Sequence, residues 1–133
     1  MSHLETVNAI YEAWGQGDVD GVLAHCVASP EWEYGVTSTD VPWLQHQTDR
    51  DGAAKNMRAG GEEIEIQQFV PKSMLEGEDV VVVLLDIEFV VKRTGKSVVE
   101  VDAVQIWRFD GSGKVSQFRQ RVDTHQQQLA WTD

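Results

Sequence analysis

One continuous stretch, residues 79–123, most constrains the fold, because it contains three strand patterns separated by two turn sequences. The turns, at residues 93–96 and 110–113, place glycine beside short polar residues between β-branched runs, which is typical of β-hairpins. Strands of this length twist and coil. We therefore expect a curved antiparallel sheet with a concave face.

Side-chain alternation predicts which residues the concave face carries. The inward set of the first strand is Val81, Val83, Leu85, Ile87, Phe89 and Val91, that of the second is Val99, Val101, Ala103, Gln105, Trp107 and Phe109, and that of the third is Ser116, Phe118, Gln120 and Val122. Gln105 and Gln120 interrupt an otherwise apolar face. A buried amide needs hydrogen-bonding partners, which the fold, water or a ligand can supply.

Composition limits the kind of protein. The 133 residues, 41% of them hydrophobic, are sufficient for one domain, 1–133. The net charge of −11 argues against nucleic acid and anionic membrane surfaces as partners. Cys26 is the single cysteine, so no internal disulfide is possible and no cysteine-based metal site is suggested. We expect neither a metal nor a cofactor. With no membrane-length apolar run and no signal pattern, we expect a cytoplasmic protein.

The N-terminal half shows helical patterns. Ser2 and Glu5 fit a capping box, and the first helix then ends at Gly15 and Gly17. Asp18 begins a second helix, which we expect to run past Cys26 until Pro30 stops it. A short strand follows over residues 32–36, and a third helix over residues 52–59 ends at the glycine pair 60–61.

A fourth strand pattern, residues 62–76, precedes the meander, and Pro71 predicts a bulge or a sheet edge there. Asp123 and Thr124 can cap a short C-terminal helix. The order is helix, helix, strand, helix and then a four-stranded antiparallel meander. This order predicts an α+β fold in which helices cover one face of the sheet.

Three pieces of the chain, residues 17–18, 107–115 and 118–124, carry a family resemblance that extends over nearly the whole sequence. The chain resembles the SnoaL-like, ketosteroid-isomerase-related branch of the nuclear transport factor two-like superfamily. The resemblance implies a cystatin-like, cone-shaped α+β barrel, in which a curved antiparallel sheet wraps round a long N-terminal helix. Such proteins are often dimeric, and their fold does not fix their chemistry.

The resemblance does not carry over the family's catalytic carboxylates. In ketosteroid isomerase an aspartate moves the proton, and that position falls on Tyr34. The position of the oxyanion-stabilising aspartic acid falls on Gln105, and the position of the oxyanion tyrosine falls beside Tyr11. The last-strand aspartate of limonene-epoxide-hydrolase relatives falls on Gln120. Asp86 is the only partial match to the water-activating residues of those relatives, and it would reach the cone only if a bulge turned it inward.

A cone with an aromatic wall remains. Its predicted wall is Trp14, Trp32, Trp107 and Phe118, with Trp43 as a lid, and its predicted polar groups are Tyr34, Gln105 and Gln120. This profile suits a small, largely hydrophobic molecule that carries oxygen. The opposing structural interpretation is that the aromatic side chains fill the barrel completely.

Two functional hypotheses follow. In the first, the protein is an isomerase- or cyclase-type enzyme, in which Tyr34, Gln105 and Gln120 orient a substrate oxygen while Asp86 or water moves a proton. In the second, it is a non-catalytic ligand-binding or dimerisation domain. An apolar outer stripe at Val80, Val82 and Leu84 also predicts a homodimer formed through the sheet.

Overall fold

The computed structural model describes residues 1–133 and confirms the α+β prediction. The helices are α1 (His3–Gly15), α2 (Val19–Leu23), α3 (Arg50–Glu63) and α4 (Thr124–Trp131), with one 3-10 turn at Pro42–Leu44. The strands are β1 (Cys26–Glu33), β2 (Ile64–Glu76), β3 (Val80–Val91), β4 (Ser97–Phe109) and β5 (Val115–Arg121). They form one sheet in the order β1-β5-β4-β3-β2. No helix has the length and apolarity that crossing a membrane requires.

The antiparallel meander of β2 to β5 forms as predicted, but the sheet has a fifth strand. β1 pairs in parallel with β5, and Trp32 lies opposite Phe118. This pairing explains why the second helix is shorter than predicted. The chain enters β1 at Cys26, and Pro30 lies inside that edge strand, where a missing backbone donor is tolerated.

Helix α1 begins at the predicted capping box and packs its apolar side into the curved sheet. Ser2 Oγ accepts from the Glu5 amide at 3.1 Å, and Glu5 Oε1 accepts from the Ser2 amide at 2.9 Å. Val7 and Ile10 are fully buried on the inner side of this helix. The helix is therefore held in place by its apolar face, and its next turns bring Tyr11 and Trp14 to the cone.

Helix α3 does not end at the glycine pair, as its sequence predicts. It continues through Gly60 and Gly61 to Glu63, and β2 begins at the next residue. A Cβ at Gly60 would lie 3.9 Å from that of Trp43, so this turn of the helix lies close to the tryptophan. Tertiary packing thus outweighs the low helix propensity of two glycines.

A bulge in β4 reverses part of the predicted side-chain alternation. Leu85 pairs with Ala103, whereas Ile87 pairs with Glu100, so two residues of β4 face Asp86. Asp102 adopts a left-handed conformation with φ of 58°. Consequently Val99 and Val101, predicted to point inward, are 53% and 65% exposed. An inserted residue shifts the two-residue period by one, so each side chain before it changes face.

Candidate functional site

A cavity of about 620 Å³ lies between the helices and the concave face of the sheet. Its wall is mainly apolar and includes Trp14, Met57, Ile64, Ile66, Phe69, Ile87 and Phe89. Its polar lining groups are Tyr11, Tyr34, Asn56, Gln105, Gln120 and Gln127. Exposed lining residues at its rim include Gly15, Gly17, Arg58, Gly61 and Glu62. The interior of the cone is therefore hollow rather than filled by aromatic side chains.

A chain of hydrogen bonds crosses the cavity wall from α1 to β5. Trp107 Nε1 donates to the Tyr11 hydroxyl at 3.2 Å, and that hydroxyl donates to Gln105 Oε1 at 2.5 Å. Gln105 Nε2 then donates to Gln120 Oε1 at 2.8 Å. The Tyr11 hydroxyl thus accepts one hydrogen bond and donates another, while Gln105 uses its oxygen toward Tyr11 and its nitrogen toward Gln120.

Gln120 ends this chain with a free donor. Its oxygen is occupied by Gln105, whereas its amide nitrogen donates no hydrogen bond within the protein. The residue is half-buried and lines the cavity. A ligand oxygen in the cone can therefore accept a hydrogen bond from Gln120 Nε2.

Tyr34 is a second polar group on the same wall. It is 6% exposed, and its hydroxyl accepts from Trp32 Nε1 at 3.0 Å. Asn56 beside it is fixed by two contacts of its own, because its Nδ2 donates to the Gln45 carbonyl at 2.6 Å and its Oδ1 accepts from Gln47 Nε2 at 3.1 Å. The Tyr34 ring is thus held in one orientation beside the cavity.

Neither tyrosine is a base near neutral pH. Burial raises the pKa of Tyr11 and of Tyr34 above the ordinary tyrosine value, and the hydrogen bonds from Trp107 and Trp32 offset only part of this effect. The other ionisable lining residues are Arg58 and Glu62, and both are exposed at the rim. The buried part of the cavity therefore offers hydrogen-bond donors but no carboxylate and no histidine.

Five of the predicted site residues line the cavity, namely Tyr34, Gln105, Gln120, Trp14 and Trp43. Gln105 is 3% exposed and points inward, as the alternation predicts. Trp43 is 6% exposed, and its Nε1 donates to Gln127 Oε1 at 2.8 Å. Because its ring also packs edge-on against Phe89 and Trp131, Trp43 forms a fixed wall and not an exposed lid.

Three of the predicted aromatic contacts lie behind the wall instead. Trp32, Trp107 and Phe118 are 0% exposed and do not line the cavity. The ring centroid of Phe118 lies 4.5 Å from those of both tryptophans, so the three side chains pack mainly on one another. Their assignment as ligand contacts is corrected: they form core that supports the cavity, and through Nε1 the two tryptophans orient Tyr11 and Tyr34.

Asp86 also lies outside the cavity, on the opposite face of the sheet. Its carboxylate is 2.9 Å from Lys72 Nζ and accepts from the Asp102 amide at 3.2 Å. The hydrogen bond from Lys72 lowers the pKa of Asp86, which keeps it deprotonated. Because the bulge is in β4, it does not turn Asp86 inward, so the proposed role of Asp86 in moving a proton is corrected.

Strand β2 contributes side chains to the cavity wall that its sequence pattern did not indicate. Ile64, Ile66 and Phe69 line the cavity, although Phe69 breaks the two-residue period. A register shift between Ile66 and Gln68 brings Phe69 opposite Ile87 and back to the inner face. Tyr11 could have been found from its place on the helical face shared with Val7 and Trp14. No sequence signal indicates Gln127.

The SnoaL-like domain family model matches residues 7–118 of this chain. An NTF2-like protein from Burkholderia pseudomallei is 24% identical, with 100% of both chains covered and a TM-score of 0.86. TerC, co-crystallised with polyporic acid, is 19% identical over 97% of both chains, with a TM-score of 0.81. A proposed SnoaL-like polyketide cyclase from Mesorhizobium loti is 16% identical over 90% of this chain and 98% of its own, with a TM-score of 0.71.

At these identities the structural neighbours establish the fold, and they confirm the resemblance seen in the sequence. A comparison with curated protein sequences gives no match.

Proposed function

Because this chain belongs to the SnoaL-like domain family, we propose that its cone binds a small, largely apolar molecule that carries at least one oxygen. The main support for this proposal is the cavity of about 620 Å³, which has an apolar wall and a free amide donor at Gln120. This volume is within the usual range for small-molecule sites, roughly 300–1,000 Å³.

The two kinds of lining group contribute differently to binding. Apolar ligand surface placed against Ile87, Phe89 and Met57 leaves water, which supplies most of the binding free energy at about 25 cal/mol per Å². A hydrogen bond from Gln120 Nε2 to the ligand oxygen adds only about 0.5–1.5 kcal/mol, since water competes for the same oxygen. The amide therefore contributes more to ligand orientation than to affinity.

TerC supplies a test compound, because it was co-crystallised with polyporic acid. We would first measure binding of N-phenyl-1-naphthylamine, which fluoresces strongly in apolar surroundings, and then its displacement by polyporic acid. Saturable binding with competitive displacement is expected, and Ile64→Trp, which narrows the cavity, should weaken both compounds. The absence of saturable binding by either compound would overturn the proposal.

Isomerase- or cyclase-type catalysis is the second candidate, and the donor at Gln120 favours it. A donor that meets a carbonyl oxygen also stabilises the enolate that forms when an α-proton leaves. The buried wall supplies no base, so water would accept the proton. The corresponding test is hydrogen–deuterium exchange at the α-carbon of a bound ketone, 2-tetralone, followed by NMR in heavy water.

If the protein is a catalyst, it should accelerate this exchange. Gln120→Leu should then reduce the exchange rate by about 10²-fold, the usual effect of removing one oxyanion donor. Gln117→Leu is the matched control, because Gln117 is on the same strand but contacts Glu31 and Arg108 on the outer face. Exchange at the rate of protein-free buffer, with the ketone bound, would leave ligand binding as the function.

A further inference from the structure

We infer that the ligand of this cavity is an organic acid, whose anionic group is held by Arg58 at the rim. The inference rests on the proposed function, because it specifies the chemistry of the molecule bound in the same cone. Arg58 is exposed on α3 and lines the cavity. It is the only cation among the lining residues.

Arg58 differs from the other arginines of the chain in having no partner. Each of the others donates to a protein oxygen: Arg50 to Cys26 and Val27, Arg93 to Asp133, Arg108 to Gln117, Arg119 to Glu31, and Arg121 to Glu33. The Arg58 side chain takes part in none of the hydrogen bonds or salt bridges of the structure, although Glu62 follows it by one helical turn. Its planar set of donors is therefore available for a carboxylate or an acidic enol.

The overall charge makes a cation at this position informative. The chain carries 22 acidic side chains and 11 basic ones, so its general field repels anions. A neutral apolar ligand would need no charged group at the entrance. An acid would need a local cation, and Arg58 supplies one at the entrance of the apolar cavity.

Polar groups therefore line this cavity both on the sheet and at the rim. Gln105 and Gln120 lie on the sheet, where Gln105 is 3% exposed, whereas Arg58 lies on the exposed rim. Apolar side chains such as Ile64 and Phe89 form the wall around them. An apolar body with an oxygen at one end and an ionised acid at the other matches this arrangement.

A matched pair of fluorescent probes tests the inference. 1-Anilinonaphthalene-8-sulfonate is N-phenyl-1-naphthylamine with an added sulfonate, so the two probes differ in one negative charge. Arg58→Gln should raise the dissociation constant of the sulfonate about fivefold, since an exposed ion pair is worth at most about 1 kcal/mol. It should leave the neutral probe unchanged. Raising the salt concentration should reduce the difference between wild type and Arg58→Gln.

Two further variants sharpen the test. Lys55→Gln removes an exposed cation from the same helix that does not line the cavity, and it should change neither probe. Glu62→Gln removes the neighbouring negative charge and should strengthen binding of the sulfonate.

The inference would be overturned if Arg58→Gln had no effect on binding of the sulfonate, or the same effect on both probes. Binding of the neutral probe would in that case still report a ligand-binding cavity. If neither probe binds, the proposed function fails together with the inference.

Discussion

The side-chain amide nitrogen of Gln105 lies 2.8 Å from the side-chain oxygen of Gln120, and the two residues are directly paired across strands β4 and β5. The register of the sheet thus joins the two amides inside the cavity. Gln105 accepts from the Tyr11 hydroxyl and donates to Gln120 Oε1, so the donor that the pair leaves free for a ligand is Gln120 Nε2.

Tyr11→Phe should reduce the free energy of unfolding by about 1–3 kcal/mol, the usual cost of leaving buried polar groups without partners. The change removes the hydroxyl that accepts from Trp107 Nε1 and donates to Gln105 Oε1. The ring itself stays, and with it the edge-on contact to Phe69. Urea denaturation measures the change. A loss below about 0.5 kcal/mol, the level of an ordinary surface substitution, would contradict this account of the hydrogen-bond chain.

Alkaline pH should destabilise the protein through its two tyrosines. Burial raises the pKa of both in the folded state, whereas the unfolded chain releases these protons near pH 10. The folded state then binds more protons, so the contribution of these two tyrosines to the free energy of unfolding is constant below about pH 9 and falls above about pH 10. The near-ultraviolet absorbance of tyrosinate should appear only together with unfolding. Its appearance in the folded protein near pH 10 would contradict the burial of these hydroxyls.

Cys26 should be unreactive in the folded protein. It is 0% exposed, and burial raises its pKa to about 11, so little thiolate exists near neutral pH. We expect negligible reaction with Ellman's reagent in buffer and complete reaction of the single thiol in denaturant. Fast modification of the native protein would show that the start of β1 is open to solvent.

We propose that two copies pair through the outer face of the sheet. Leu75 is 58% exposed there, opposite Val82 and near half-buried Val80 and Leu84. Light scattering should give twice the chain mass of 14.9 kDa, and Leu75→Glu should lower it to that of one chain. Leu129→Glu, at a 56% exposed leucine on α4, is the control and should leave the mass unchanged. A monomeric wild-type protein would exclude the dimer.

The long strands and their inward residues could be predicted because apolar alternation in β3 is uninterrupted from Val81 to Val91. Alternation also predicted the inward orientation of Gln105 correctly, because the bulge at Asp102 precedes this residue and leaves the alternation of the later β4 residues unchanged. It failed for Val99 and Val101, which precede the bulge. A left-handed aspartate has no periodic signature that would reveal such an insertion.

The cavity wall was harder to predict than the sheet. Alternation indicates that Trp107 and Phe118 point inward, but it cannot separate a side chain that lines a cavity from one that other side chains cover. Trp32 and Phe118 pair across β1 and β5, and this parallel pairing was not visible in the sequence. The pairing brings the aromatic rings together, so they pack on one another.

The central claim, that Gln120 binds a ligand oxygen inside the cone, is tested most directly with 9-fluorenone and fluorene, which differ only by a carbonyl oxygen. The measurement is the ratio of the fluorene to the fluorenone dissociation constant in Gln120→Leu and in the outer-face control Gln117→Leu. The ratio in Gln120→Leu should be lower than in Gln117→Leu by about fivefold, because one net hydrogen bond is worth about 1 kcal/mol. The same ratio in both variants would contradict the claim.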